Sequence, residues 1–333
     1  MTAEELAAIP SRALPLVAHA PGKCILFGEH AVVHGKPELL LAIDLFTQIA
    51  ARPAASTRLN ADVDPASTNP YLAQALARLW EGGPPLALDA ISRIPRAAGL
   101  GSSAAFVASL ASILTAARGG TTRAQLAQLT FDIERTAQGV GSPGDTTAVV
   151  GGGYVAINDA TGAPLWEVRD GERRWEARRV ADPGWTWIVA YSGVRRNTGR
   201  TVQEVGRRLA EPDGPGLLEE FESVARQGIE AVAREDRGAT GRLLDRNQEL
   251  LRTLGVSHPR LEALLDAVRP ACEGAKLTGA GAGGSIVVLP KLGRELEASR
   301  RISSAGGVPY PVRPVPAGAA LLEPPAAAPA DED

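Results

Sequence analysis

The 333-residue sequence predicts an α+β protein folded as two lobes, and three observations carry that reading. With 44% hydrophobic residues the chain can bury a sizeable core. Apolar runs of strand length, such as KCILF (23–27) and ELLLAI (38–43), are interleaved with segments whose apolar positions recur at helical spacing. A new strand-like run, WTWIVAY (185–191), follows Pro183-Gly184 and opens a second series of helices. The expected division is 1–183, 184–322 and a short tail.

Residues 1–15, Ala-rich and interrupted by Pro10 and Pro15, read as a weakly ordered leader. Leu16–His19 starts an extended segment, and Lys23–Phe27 is a buried strand ended by Gly28. Its return partner is Glu38–Ile43, across the loop GEHAVVHGKP. Asn69–Trp80 has helical spacing around a proline, and Leu86–Ile94 alternates as a half-buried strand closed by Pro95. Ser102 and Ser103 stand where helix caps belong, before the small and apolar run Ala104–Ala117. Thr122–Thr136 is amphipathic, GVGSPGD breaks it, and VVGGGYVAI (149–157) reads as a strand with a glycine-rich entry. The second lobe is expected to hold helices near 199–211, 215–234, 237–253 and 258–272, then KLTGAGAGGSIVVLP, a glycine turn running into a strand. Residues 323–333 are Pro/Ala-rich and acidic, a composition that favours disorder.

Composition excludes several classes of function. The formal net charge is −3 and no run of five Lys/Arg occurs, which argues against a nucleic-acid or anionic-membrane partner and for small molecules. Cys24 and Cys272 are far apart, and the four histidines have neither CxxC nor HExxH company, so structural zinc and a disulfide framework are not expected. No apolar stretch reaches about 18 residues and the N-terminus carries Glu4 and Glu5, which predicts a cytoplasmic protein. Of 35 cationic residues only Lys23, Lys36, Lys276 and Lys291 are lysine, so Lys is retained where a compact ammonium is needed. Two of these lie in glycine-rich motifs.

PRAAGLGSSAA places Gly99 and Gly101 where backbone passes close to a ligand, then presents free N–H groups and hydroxyls at a helix start. The N–H groups and the helix dipole both favour an anion such as phosphate. GLGSSA also satisfies the dinucleotide pattern GxGxxA, and GAGAGG satisfies GxGxxG, yet neither sits in a strand–turn–helix unit with the acidic residue that pattern requires. No Walker A text, GxxxxGK[ST], is present. Either loop alone is compatible with a plain turn in a chain of 36 glycines.

Taken together, APGKCILFGEHAVVHG (20–35), PRAAGLGSSAA (95–105) and KLTGAGAGGS (276–285) resemble the GHMP kinases, in that family's order. Within the group, GEHAVVHG and LLDRNQELLRTLGVSH (243–258) resemble the mevalonate kinase branch, and SPGDT in IERTAQGVGSPGDTT (133–147) looks archaeal in type. The resemblance spans about residues 18–315, with GAGAGGS in place of the usual GAGGGGC. It implies a GHMP kinase fold, with an N-terminal lobe like ribosomal protein S5 domain 2 and a ferredoxin-like C-terminal lobe. It implies ATP-dependent phosphorylation of mevalonate in isoprenoid synthesis, with Mg²⁺ as cofactor, ATP and mevalonate as partners, and a possible homodimer. The alternatives are another GHMP kinase, such as a phosphomevalonate kinase, mevalonate 3-kinase or sugar kinase, or an inactive metabolite sensor.

Carried over residue by residue, the resemblance makes Asp145 the general base and Lys23 its neighbour, stabilising negative charge on the transferring group. The ATP loop is Pro95, Arg96, Ala97, Ala98, Gly99, Leu100, Gly101, Ser102, Ser103, Ala104 and Ala105. Glu134, eleven positions before Asp145, and the Ser103 hydroxyl are the Mg²⁺ ligands, with Ser102 as the substitute for Ser103. Glu29 and His30, with Lys23, Asp145, Thr198 and Gly281, are the substrate side, and Arg196 belongs to the same VRRNTGRT segment. Lys276 opens the late glycine motif and is also compatible with a plain surface residue before a strand.

Overall fold

The computed structural model describes residues 9, 11–139, 141–195 and 198–322. The expected disorder of the tail at 323–333 and the position of Arg196 lie outside them. The leader is tied down where it is described: Ile9 is buried and bridges Thr121, and the Arg12 amide donates to the Ala116 carbonyl at 3.0 Å.

In the first lobe β1 (Leu16–Phe27) and β2 (Glu38–Pro53) form a long antiparallel ribbon. Both outrun the sequence expectation, because a register shift between Pro21 and Gly22 lets β1 continue past a proline that lacks a ladder donor. After β3 (Arg58–Leu59) come a single-turn helix α1 (Pro65–Thr68) and α2 (Pro70–Leu79). Asn69 caps α2, its side chain accepting from the amides of Tyr71 and Leu72, with Pro70 supplying the preset first turn. Strand β4 (Leu86–Ser92) pairs with β2, and α3 (Ser102–Ala116) packs on β1 and β2. From Val107 to Ala116 every residue of α3 is buried, and its Ser109, Ser112 and Thr115 hydroxyls turn back onto carbonyls four residues earlier, which leaves no polar group stranded.

Helix α4 (Arg123–Gln138) opens on a reciprocal cap between Thr122 and Gln125. The run expected to be a strand from Val149 is instead the end of helix α5 (Gly144–Gly151), and only Tyr154–Ile157 forms β5. A short apolar run carries no period that separates strand from helix, so tertiary packing decides it. Gly152 and Gly153, both at positive φ, make the break, and a Cβ on Gly152 would stand 2.6 Å from the Gly318 nitrogen. The hairpin β6 (Ala163–Asp170) and β7 (Arg173–Val180) completes the sheet, going unassigned in the sequence because its Arg-rich strands alternate weakly.

The second lobe is a four-stranded antiparallel sheet in the order β11-β8-β10-β9, built from β8 (Trp187–Tyr191), β9 (Cys272–Thr278), β10 (Ser285–Pro290) and β11 (Val308–Val312). Helices α6 (Thr198–Leu209), α7 (Gly214–Ala233), α8 (Arg237–Thr253), α9 (Pro259–Val268) and α10 (Glu295–Ser304) accompany it. The expected boundary at 183–184 separates the two sheets, but the chain then crosses back. The closing strand β12 (Ala320–Leu322) pairs with β1, so 320–322 belong to the first sheet and not to the second lobe.

Several contacts hold the lobes against each other, three of them close to the paired sheets. The Trp187 indole of the second sheet donates to the Tyr154 hydroxyl of the first at 2.7 Å. The Thr278 hydroxyl accepts from the Ile25 amide at 2.7 Å and returns a bond to the same residue's carbonyl. Gly228 of α7 lies against the Phe27 ring, where a Cβ would come within 2.6 Å. Within the second lobe, α8 and β9 approach so closely that a Cβ on Gly241 would overlap the Glu273 backbone. Gly241→Ala is therefore expected to destabilise the protein by about 1–3 kcal/mol, read from the denaturation midpoint. Among the described residues no helix is long and apolar enough to cross a membrane.

Candidate active site

Between the lobes lies a cavity of about 750 Å³. Its lining comes from β1 (Lys23, Ile25), the following loop (Glu29, His30), β2 (Glu38), α3 (Ser103), α4 (Glu134, Gln138), α5 (Asp145), α6 (Val205, Gly206) and the glycine turn (Gly279, Ala280).

At its floor the Lys23 ammonium stands 2.8 Å from Asp145 Oδ1 and donates to the Gly99 carbonyl at 3.2 Å. Lys23 is 1% exposed and Asp145 is 35% exposed, so the lysine is held within the protein while the carboxylate faces the cavity. Asp145 lies in the first turn of α5, where its charge also suits the helix dipole. Gly101, at φ 74°, lets the loop lie on Lys23: a Cβ there would stand 2.8 Å from the lysine Cγ. The Lys23 amide in turn donates to the Leu100 carbonyl at 3.0 Å. The glycine loop thus positions the ammonium as well as opening a helix.

Of Pro95–Ala105, Ala98, Gly99 and Leu100 are buried against β1, whereas Arg96 and Ala97 are exposed. Helix α3 starts at Gly101 without a side-chain cap, which leaves its first amides for an external acceptor. Ser103, not Ser102, lines the cavity beside Glu134, whose Oε1 accepts from Gln138 Nε2 at 3.1 Å. Glu134 is buried, and burial followed by the nearby Asp145 charge pushes its carboxyl up to about 7. Tyr71, absent from the sequence expectations, lines the cavity beside Ser103 and Gln138.

Glu29 is brought to the cavity, but its partner is a surprise. Lys276, for which a surface position was one of two readings, is 0% exposed on β9 and forms a buried ion pair with Glu29, while also donating to the Leu277 carbonyl at 2.8 Å. Burial pushes the Glu29 carboxyl up and the Lys276 ammonium down. The signal in the sequence was the rarity of lysine. His30, at φ 63°, holds the Ala280 carbonyl at 3.1 Å and so ties the first loop to the glycine turn. That turn meets the cavity with Gly279 and Ala280, while the next residue, Gly281, lies against the Val256 backbone, which a Cβ there would overlap. Thr198 opens α6, and its side chain lies outside the described residues.

Among the described residues no cluster of three or more His, Cys, Asp or Glu could cage a metal. A single buried carboxylate with a hydroxyl beside it matches what Mg²⁺ asks of a protein when phosphates supply the remaining oxygens.

Two family models match the chain, "GHMP kinases N terminal domain" over residues 70–153 and "GHMP kinases C terminal" over 229–307. A mevalonate kinase of Methanothermobacter thermautotrophicus is 31% identical over 317 residues, covering 87% of this chain and 98% of that protein. One from Aeropyrum pernix is 32% identical over 303 residues, covering 83% and 89%. The crystal structure of L. major mevalonate kinase in complex with R-mevalonate superposes with a TM-score of 0.76 at 21% identity, over 93% of this chain and 99% of that one.

Proposed function

The chain belongs to the mevalonate kinase family of the GHMP kinases, and from that premise we propose that it transfers the γ-phosphoryl group of ATP to the 5-hydroxyl of (R)-mevalonate, giving ADP and 5-phosphomevalonate. The observation that carries the site reading is the Lys23–Asp145 pair, at 2.8 Å, on the floor of the interlobe cavity.

Phosphoryl transfer asks the protein chiefly to position two substrates and to neutralise charge as it develops. Asp145 accepts the proton of the acceptor hydroxyl and orients its oxygen toward the phosphate. Lys23, fixed by Asp145 and Gly99, offers its remaining hydrogen to the oxygen that gains negative charge. The uncapped amides of α3 receive the nucleotide's phosphates. Glu134 and Ser103 would hold Mg²⁺, which, when bound, neutralises phosphate charge. The protein's own part there is to keep a buried carboxylate and a hydroxyl together on the nucleotide side of the cavity. His30 closes the acceptor side by fixing the glycine turn of the second lobe.

A coupled ADP assay with a panel of acceptors tests the assignment. Mevalonate-dependent ADP release, exceeding that with phosphomevalonate, homoserine or galactose, is the expected result, and a preference for any of the others overturns it. For the metal site, Glu134→Gln is expected to raise the Mg²⁺ concentration for half-maximal rate by at least about tenfold, since even outer-shell partners are worth about 10–100-fold. Because metal binds the deprotonated carboxylate, that requirement in the wild type should fall as pH rises through about 7.

A further inference from the structure

Glu38 is the buried acid that the proposed reaction leaves without a task. It opens β2, is 2% exposed, lines the cavity, and its Oε2 has no hydrogen-bond partner among the described residues. Gly144 makes room for it: a Cβ at that position would overlap Glu38 Oε2, although Gly144 itself has no positive φ that would demand glycine. The space vacated by one side chain is thus filled by a carboxyl immediately beside Asp145.

We propose that Glu38 is a second carboxyl of the acceptor site, a neutral acid that donates a hydrogen bond to an oxygen of the bound alcohol close to the hydroxyl being phosphorylated. The inference rests on reading this cavity as the acceptor site.

The charges around Glu38 decide its state. Lys23 on β1 is committed to Asp145 on α5, and Lys276 on β9 is committed to Glu29 in the loop after β1. Two cations are therefore divided between two other carboxylates. Glu38 has no cation of its own and stands close to negative charge. Burial, and then the Asp145 charge, push its carboxyl well above the ordinary range. Where carboxyls share a cavity and only some have cations, their environments set the roles apart: the paired one is the base and the unpaired one keeps its proton. A protonated carboxyl is a donor; with Oε2 sealed against Gly144, the edge of the carboxyl that lines the cavity is the one that meets a bound hydroxyl or carboxylate oxygen.

Glu38→Gln keeps the shape and a donating group, so at neutral pH its acceptor KM should lie well below that of Glu38→Leu. Glu38→Leu removes the donor and should raise the acceptor KM about tenfold while leaving the KM for ATP unchanged. Ionised Glu38 cannot donate and repels an anionic acceptor, so the wild type should lose acceptor affinity toward alkaline pH and Glu38→Gln should not. An unchanged acceptor KM in Glu38→Leu, or alkaline limbs that superimpose for wild type and Glu38→Gln, overturns the proposal.

Should the wild type leave mevalonate untouched, the acceptor assignment fails separately, and the state of Glu38 can still be read without substrate. A carboxyl raised on folding keeps a proton that the unfolded chain releases above its ordinary value. Stability must then decline as pH rises from that value through the folded one. Glu38→Gln should flatten this decline; equal slopes for the two proteins overturn the proposal.

Discussion

Replacing Asp145 with asparagine is expected to lower kcat by about a thousandfold or more while leaving the fold and the KM for ATP nearly intact. Asparagine keeps an oxygen that can accept from Lys23, so the ammonium is not abandoned in a buried position. What is lost is a group that can take the hydroxyl's proton. At 35% exposure the side chain carries little of the core, so the melting temperature should stay close to wild type. Single-turnover measurement at saturating ATP and mevalonate is the direct check. A variant that turns over at near wild-type rate removes Asp145 from the chemistry.

The second large effect separates two lysines that look equivalent by burial. Lys276→Met is expected to destabilise the protein by about 3–5 kcal/mol, because Glu29, 1% exposed, would be left charged or forced to bind a proton without its partner. Glu29 Oε2 already lacks a hydrogen-bond partner among the described residues, so no second group stands ready to compensate. Lys23→Met should behave in the opposite way. Its partner Asp145 faces the cavity and can be solvated, so stability is nearly kept while turnover is abolished. Chemical denaturation and initial rates on both variants make the comparison. Equal stability losses would mean that both pairs serve the same structural purpose.

The groups proposed for the reaction were legible as local text. Lys23 stood out because lysine is rare, and Ser103 because glycines and hydroxyls precede an apolar helix. Glu134 and Asp145 were found through their family spacing, and the structure brings all four to one cavity. Less legible were the groups whose meaning depends on what faces them. Lys276 reads as a lysine before an apolar strand until β9 is laid against the loop that carries Glu29. Glu38 is one polar residue at the start of an apolar run, and only the missing Cβ at Gly144 shows why a carboxyl fits there. Tyr71 belongs to a helix assigned from its spacing, yet it lines the cavity beside Ser103 across the fold. Val149 and Val150 carry no period, so packing made them helix instead of strand.

Sequence by itself determined the α+β class and the family, and it pointed to the glycine loop and the groups proposed for the reaction, because each is written in contiguous residues whose spacing acts locally. Tertiary structure alone decided which lysine meets which carboxylate, that β12 returns to the first sheet, and which buried acid is left without a cation among the described residues. Ion pairing and desolvation depend on distances of a few ångströms between residues more than a hundred positions apart, and no local pattern records those distances.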